Sequence, residues 1–305
     1  MDMSSTLLQM GVLFILIAVG FLANKTKILS GEANRWITKL VINIAMPCTI
    51  LNSVVNGTVE ATGLTAMVFF LLCAVTMLIG FLLSFFIPNL MKIPRDDVGL
   101  YRFMMSFANV GFMGYPVCEA VFGPGSSFYV ALFNILFSVL SFSVGISMIA
   151  GSRSKFNIWL IINPSFVGAI ITLIIFLTGF RLPTVLCEAI GTLGKVTTPA
   201  AMLIIGSTLA MIPIRQVIAD WHIYPVTVMK LFVIPVVTYF ILRLFVRDPL
   251  MLGILTVLSA MPTATTATML SMEYGGNETD ASKVVFMTTL VSIGSIPLIA
   301  YLLLA

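Results

Sequence analysis

The chain has 305 residues, 59% of them hydrophobic and only 9% charged, with a formal charge of +4. So little polar surface cannot cover so much apolar content in water, which excludes a soluble globular protein and makes this an all-α integral membrane chain. The positive charge sits in short loops with no basic run interleaved with aromatics, which excludes nucleic acid as a partner, and Cys48, Cys73, Cys118 and Cys187 all lie in apolar stretches, which excludes a disulfide framework.

A bilayer span needs roughly 20 mostly apolar residues. Ten such stretches are predicted, near 6–24, 34–54, 62–87, 97–122, 127–150, 158–180, 186–213, 222–246, 250–274 and 282–305. The leader of the first, Met1-Asp2-Met3-Ser4-Ser5, carries an acid and no base, so it reads as a retained transmembrane helix rather than a secretory signal. Connections are short and leave no room for a soluble domain.

The two halves superpose in sequence at one constant offset of 152 residues. Pro47 falls on Pro199, Met77 on Met229, Arg95-Asp96 on Arg247-Asp248, Ala108 on Ala260 and Ser143 on Ser295. Five spans per half is an odd number, so the second half enters the bilayer with opposite polarity. The expected organisation is two inverted repeats, 1–155 and 156–305, a common plan among secondary transporters. Lys and Arg set the direction. With the N-terminus outside, eleven basic residues fall in cytoplasmic segments (Lys25, Lys27, Arg35, Lys39, Lys92, Arg95, Arg102, Arg153, Lys155, Arg215 and Lys283) and four outside (Arg181, Lys195, Arg243 and Arg247). Both termini are therefore expected outside.

Two spans carry helix-breaking sequence. In SFANVGFMGYPV (106–117), Gly111, Gly114 and Pro116 crowd the middle of the fourth span. In SAMPTATTATMLS (259–271), Pro262 sits mid-span of the ninth, followed by Thr263, Thr265, Thr266 and Thr268. The offset lays Asn109-Val110-Gly111 on Met261-Pro262-Thr263. Unwound backbone inside a bilayer is tolerable only around a polar cavity, a solute or an ion. The helices that resume after the breaks offer N–H donors and a partial positive charge, which suit a carboxylate. Expected solute contacts are Asn109 and backbone donors at Gly111, Thr263 and Thr265.

Asn43 and Pro47 in the second span, and Thr197, Thr198 and Pro199 in the seventh, either line the same cavity or ease packing. Lys230 lies about nine residues into the eighth span, where it either balances a carboxylate or snorkels to the interface. Glu119 and Glu273 each follow a break by about ten residues, roughly 15 Å along a helix, which puts them near opposite surfaces; solvated helix ends and a coupling role are both open. His222, beside Trp221 and Tyr224, reads as an interfacial anchor, and a lone His makes no zinc site. Gly123-Pro124-Gly125 is a turn without a phosphate loop's Lys. Asn56-Gly57-Thr58 matches the glycosylation pattern. No catalytic constellation is present, so an enzyme is not expected, and neither is a cofactor.

The motifs FANVGFMGYPVCEAVFG (107–123), INPSFVGAI (162–170), LGKVTTPAAMLIIGSTLA (193–210), MKLFVIP (229–235) and SAMPTATTATMLSMEYGGNETDAS (259–282) resemble the auxin efflux carrier family, whose bacterial branch includes carriers assigned to malate or malonate. The resemblance covers nearly the whole chain. It implies a fold similar to bile-acid sodium symporters, with ten helices in two inverted repeats and helices 4 and 9 crossing at their breaks at the midplane, where solute binds. It further implies a scaffold of helices 1, 2, 6 and 7 that can form homodimers, a moving core of helices 3–5 and 8–10, and an elevator cycle. On it, Asn109 maps to the asparagine ahead of the crossing and Pro116 and Pro262 to its prolines; Val110, next to Asn109, is a further expected solute contact. The loop Gly151–Phe156 is far shorter than in plant members and fits the bacterial type. The implied function is secondary transport of small organic anions across the plasma membrane, with H+ or Na+ as the open choice of coupling ion; a sodium symporter, an anion channel and a non-transporting sensor are the alternatives.

Overall fold

The computed structural model describes residues 3–56, 61–91, 93–151 and 158–304, which are helical throughout apart from loops and one isolated bridge. The helices are α1 (Met3–Lys25), α2 (Gly31–Leu40), α3 (Met46–Val55), α4 (Gly63–Leu83), α5 (Phe86–Leu90), α6 (Val98–Ser106), α7 (Tyr115–Phe122), α8 (Ser126–Leu140) and α9 (Ile146–Ala150). They continue as α10 (Pro164–Thr178), α11 (Thr184–Gly194), α12 (Thr197–Met211), α13 (Ile214–Ile218), α14 (Ile223–Val228), α15 (Ile234–Arg243), α16 (Pro249–Ser259), α17 (Thr266–Tyr274) and α18 (Glu278–Leu304). Gly57 and Thr58 of the glycosylation pattern, Lys92, and the 152–156 part of the short loop lie outside the described residues.

Seven helical stretches among the described residues are long and apolar enough to cross a membrane: Leu8–Lys25, Gly31–Val55, Gly63–Leu83, Ser126–Ala150, Thr184–Met211, Ile223–Arg243 and Glu278–Leu303. Val110–Phe122, Pro164–Thr178 and Pro249–Ser259 are apolar but shorter. The outward chemistry is that of a lipid-facing surface. On α4, the exposed side chains are Leu64, Met67, Val68, Leu71, Val75, Leu78 and Leu82. That three-and-four spacing is one helical stripe, and it is wholly apolar where a soluble helix would be charged.

Local sequence explains the helix starts. Asn163-Pro164 and Asp248-Pro249 open α10 and α16: the Asn163 side chain accepts the Phe166 N–H, the Asp248 carboxylate accepts from Leu250 and Met251, and each proline occupies the first turn, where its missing N–H costs nothing. Inside the spans, π-helical turns occupy Val41–Ala45, Val110–Gly114, Ser141–Gly145 and Met229–Val233. Three of these four end two residues before a proline (Pro47, Pro116 and Pro235). A proline cannot donate to the carbonyl behind it and its ring clashes with it, and the wider turn takes up that mismatch without ending the helix.

The chain forms two compact units, each drawing on both halves of the sequence. The first comprises Met1–Phe70, Gly111–Ile135 and Trp159–Ile212, the second Leu71–Val110, Leu136–Ile158 and Pro213–Ala305. In the first, α1 and α12 meet through glycines. A Cβ on Gly20 would lie 2.7 Å from Leu203 Cα, and one on Gly206 would lie 2.8 Å from the Phe21 nitrogen. Such small-residue contacts let backbones approach in lipid, where the hydrophobic effect does not drive helices together. Ser207 fastens the same seam, accepting from Asn24 Nδ2 at 3.0 Å and Asn34 Nδ2 at 2.8 Å. Elsewhere in this unit α3 packs on α10 and α11, with the Thr49 hydroxyl against the Gly194 carbonyl and Thr197 Oγ1.

In the second unit, α6 lies so close to α9 that a Cβ on Gly99 would stand 2.6 Å from the Met148 carbonyl carbon. The α14–α15 helix, with its intervening π turn, packs on α18. Polar groups tie the ends of this unit together: the Tyr101 hydroxyl donates to Asp280, and Lys283 pairs with Asp220 at 2.8 Å.

Candidate functional site

The stretches expected as the fourth and ninth spans are both interrupted, and the interruptions are paired. Between α6 and the Val110 turn the backbone of 107–109 is not helical, and between α16 and α17 the same holds for 260–265. Ala108 and Thr263 form an antiparallel bridge. The Asn109 N–H donates to the Pro262 carbonyl at 2.8 Å, and the Ala264 N–H to the Phe107 carbonyl at 3.0 Å. Two broken helices thus use a scrap of β-pairing to satisfy the polar groups that breaking exposed. The first break falls at 107–109, ahead of the glycines. Gly111, Gly114 and Pro116 are helical, because the π turn accommodates the proline that was expected to unwind the chain.

The end of α6 shows how exposed backbone groups find partners. A helix end leaves its last four carbonyls unpaired. Here Arg102 O accepts the Ser106 hydroxyl, and Phe103 O accepts the Phe107 N–H. Met104 O accepts the Thr263 hydroxyl at 2.9 Å, and Met105 O accepts Lys230 Nζ at 3.1 Å. The carbonyls of Met104 and Met105 are therefore held by side chains from elsewhere in the chain. Lys230 does not snorkel. It is 1% exposed and turned inward from the Met229–Val233 turn.

Several expected residues come together here. Asn109 is buried at 4% exposure and Val110 at 0%, beside Pro262. Thr263, also fully buried, is committed to the fold: its N–H donates to the Thr288 hydroxyl at 3.2 Å while its own hydroxyl caps α6. Thr265 precedes the first turn of α17 and makes no side-chain cap. The Thr266 hydroxyl is shielded from solvent with no hydrogen-bond partner among the described residues. Glu273 is exposed at the other end of α17.

The remaining candidates belong to the first unit. Asn43 is exposed and its amide donates to the Lys39 carbonyl at 2.7 Å, while Pro47 packs where Gly168 leaves room for it. Gly111 faces open space, with only Met46 Cε near its position. Pro116 and Glu119 line a cavity of about 250 Å³ with Gln9 and Thr198, and Glu119 accepts the Ser127 hydroxyl at 2.6 Å. Glu119 is thus half-buried and bonded rather than a solvated helix end. Groups of three or more His, Cys, Asp or Glu able to hold a metal are absent among the described residues.

Sequence reasoning missed Thr288 and the polar face around it. Thr288, Ser292 and Ser295 are all buried at 2% exposure or less, spaced as one stripe of α18. That four-and-three spacing of hydroxyls in an apolar span was the available signal.

A multi-span helical membrane protein with paired broken helices has the architecture of a transport protein. Comparison with known proteins agrees: the family described as "Membrane transport protein" matches residues 6–159 and 152–300, and the chain belongs to it. This is the auxin efflux carrier family that the motifs resemble. A protein named "Putative malonate transporter" from Rhizobium meliloti (strain 1021) is 27% identical over 305 residues, covering 95% of this chain and 93% of that protein. Uncharacterized transporters of Methanocaldococcus jannaschii and Methanothermobacter thermautotrophicus are each 24% identical, over 96% and 97% of this chain and 97% of theirs. Membership places the chain among transporters and not among enzymes.

Proposed function

We propose that the protein is a secondary carrier of small organic anions, mono- or dicarboxylates, acting by alternating access of the elevator type. The observation that carries this is the paired break at Ala108 and Thr263. Beside it lie the buried Asn109, the start of α17 and the Thr266 hydroxyl with no internal partner. A carboxylate held there accepts from the Asn109 amide and from the N–H groups of Thr265 and Thr266, in the positive field of the α17 N-terminus. The malonate name of one relative supports the choice of anion. Thr263 braces the site without touching solute.

The membrane layout proposed with it is ten spans in two inverted repeats, 1–155 and 156–305, with helices 4 and 9 crossing at the midplane. It includes a scaffold of helices 1, 2, 6 and 7 able to form a homodimer, a core of helices 3–5 and 8–10, and both termini outside the plasma membrane. The 152-residue offset, the basic-residue count and the family fold support it. No cofactor enters this scheme.

The test is saturable malonate counterflow in proteoliposomes, with and without Na+ and H+ gradients to identify the coupling ion. Asn109→Ala keeps the backbone N–H that pairs with Pro262 and removes only the amide. It is expected to fold and to lose transport; full transport by this variant refutes the site.

A further inference from the structure

We propose that Lys230 is the fixed counter-charge for the carried anion: it never touches the solute, and it sets the preference for a carboxylate over a neutral molecule of the same shape. This rests on the carrier reading above and deepens it.

A lysine 1% exposed inside a transmembrane unit calls for a partner if it is to carry its charge. The partner the fold supplies is one neutral carbonyl, Met105 O at 3.1 Å. Among the described residues no carboxylate lies within ion-pair distance of it. The elements packed against its turn are α6, α14, α15 and α18. Their acidic groups are Glu278 and Asp280, both at the start of α18, and Asp280 is already engaged by the Tyr101 hydroxyl and Lys283. On α6, Arg102 stacks over the Phe85 ring and adds positive charge rather than cancelling it. Among the described residues the fold therefore buries a lysine amine with no carboxylate beside it.

Its position says where that anion belongs. Lys230 and Thr263 cap adjacent carbonyls, those of Met105 and Met104, on the same helix end. Thr263 is part of the bridge with Ala108, and Asn109 follows directly. The lysine thus sits beside the paired break, behind the residues proposed to bind solute. A negative solute there completes the charge balance, and a neutral one leaves it open. In a protein interior, a unit charge some 10 Å away changes anion affinity by about tenfold or more.

Capping and charge separate by substitution. Lys230→Gln retains a donor for the Met105 carbonyl and removes the charge, Lys230→Met removes both, and Lys230→Arg keeps both. Malonate and its neutral diamide, malonamide, are titrated calorimetrically against purified protein, with melting temperature recorded for each variant. Malonate affinity is expected to hold in Lys230→Arg and to fall about tenfold or more in Lys230→Gln and Lys230→Met, with malonamide binding the same in all four proteins. Unchanged malonate affinity in Lys230→Gln, or an equal loss for malonamide, overturns the proposal and leaves the carrier reading standing. Failure of the wild-type protein to bind malonate or any other small carboxylate overturns both.

Discussion

Gly99→Ala tests whether the broken helix is held in place by backbone contact. The new methyl would stand 2.6 Å from the Met148 carbonyl carbon and nearer still to its oxygen. Because the oxygen is the nearest atom, restoring an ordinary contact of about 3.5 Å requires α6 and α9 to separate by well over ~1 Å. The obstruction is backbone, so no side chain can turn aside. Overpacking of this kind costs about 1–3 kcal/mol. A shift of that size also stretches the bonds to Met104 O and Met105 O, now 2.9 and 3.1 Å, past hydrogen-bond range. Each buried group left unsatisfied adds about 1 kcal/mol or more, for about 4 kcal/mol in all. Thermal unfolding of the detergent-solubilised variant should show a midpoint several degrees below wild type, with malonate counterflow lost in parallel. Gly294→Ala, in the same unit with no atom within 4 Å of the new methyl, is the control and should melt as wild type or slightly higher. Equal midpoints for the two variants would refute the reasoning.

Thr263→Val keeps the shape and the N–H bond to Thr288 but strips the donor from the Met104 carbonyl, and should cost about 1–3 kcal/mol by the same melting assay; an unchanged midpoint counts against the capping role. Asp220 lies outside the spans. Burial pushes its carboxyl up, but hydrogen bonds from Lys283 and His222 outweigh this and hold it below the ordinary value. A depressed carboxyl stabilises the fold above its unfolded pKa of about 3.9, and that contribution is lost as pH falls through the lower folded value. Asp220→Asn should therefore melt lower at neutral pH, by up to about 1 kcal/mol, with the gap closing in acid. A gap that widens on acidification would reverse the assignment.

Much of this was legible in the chain. Apolar stretches of bilayer length mark most helices to within a few residues, because lipid demands both length and apolar character. The two interruptions were marked by Pro262 and by the Asn109–Pro116 segment, because few other residues disrupt a helix so strongly. The exact place of the first break was not legible. Pro116 has two local solutions, an unwound segment or a π turn, and packing rather than sequence selects the second. The direction of Lys230 was equally hidden, since snorkelling and inward capping use the same residue at the same depth. What decides between them is a loose carbonyl 125 positions away, and no local pattern records that. The surroundings of Glu119 were hidden for the same reason: distance along a helix locates a residue, and the company of Ser127 and a cavity wall does not follow from it.

Two of the bonds that link the two interrupted segments are made of main-chain atoms alone: the N–H of Asn109 with the carbonyl of Pro262, and the N–H of Ala264 with that of Phe107. Every amino acid except proline can supply an N–H, and all supply a carbonyl. This backbone pairing therefore survives almost any exchange of side chains at positions 107, 109, 262 and 264. Its shape and its chemistry are inherited separately, so a lineage can rewrite the solute it admits, residue by residue, without ever having to reinvent the frame.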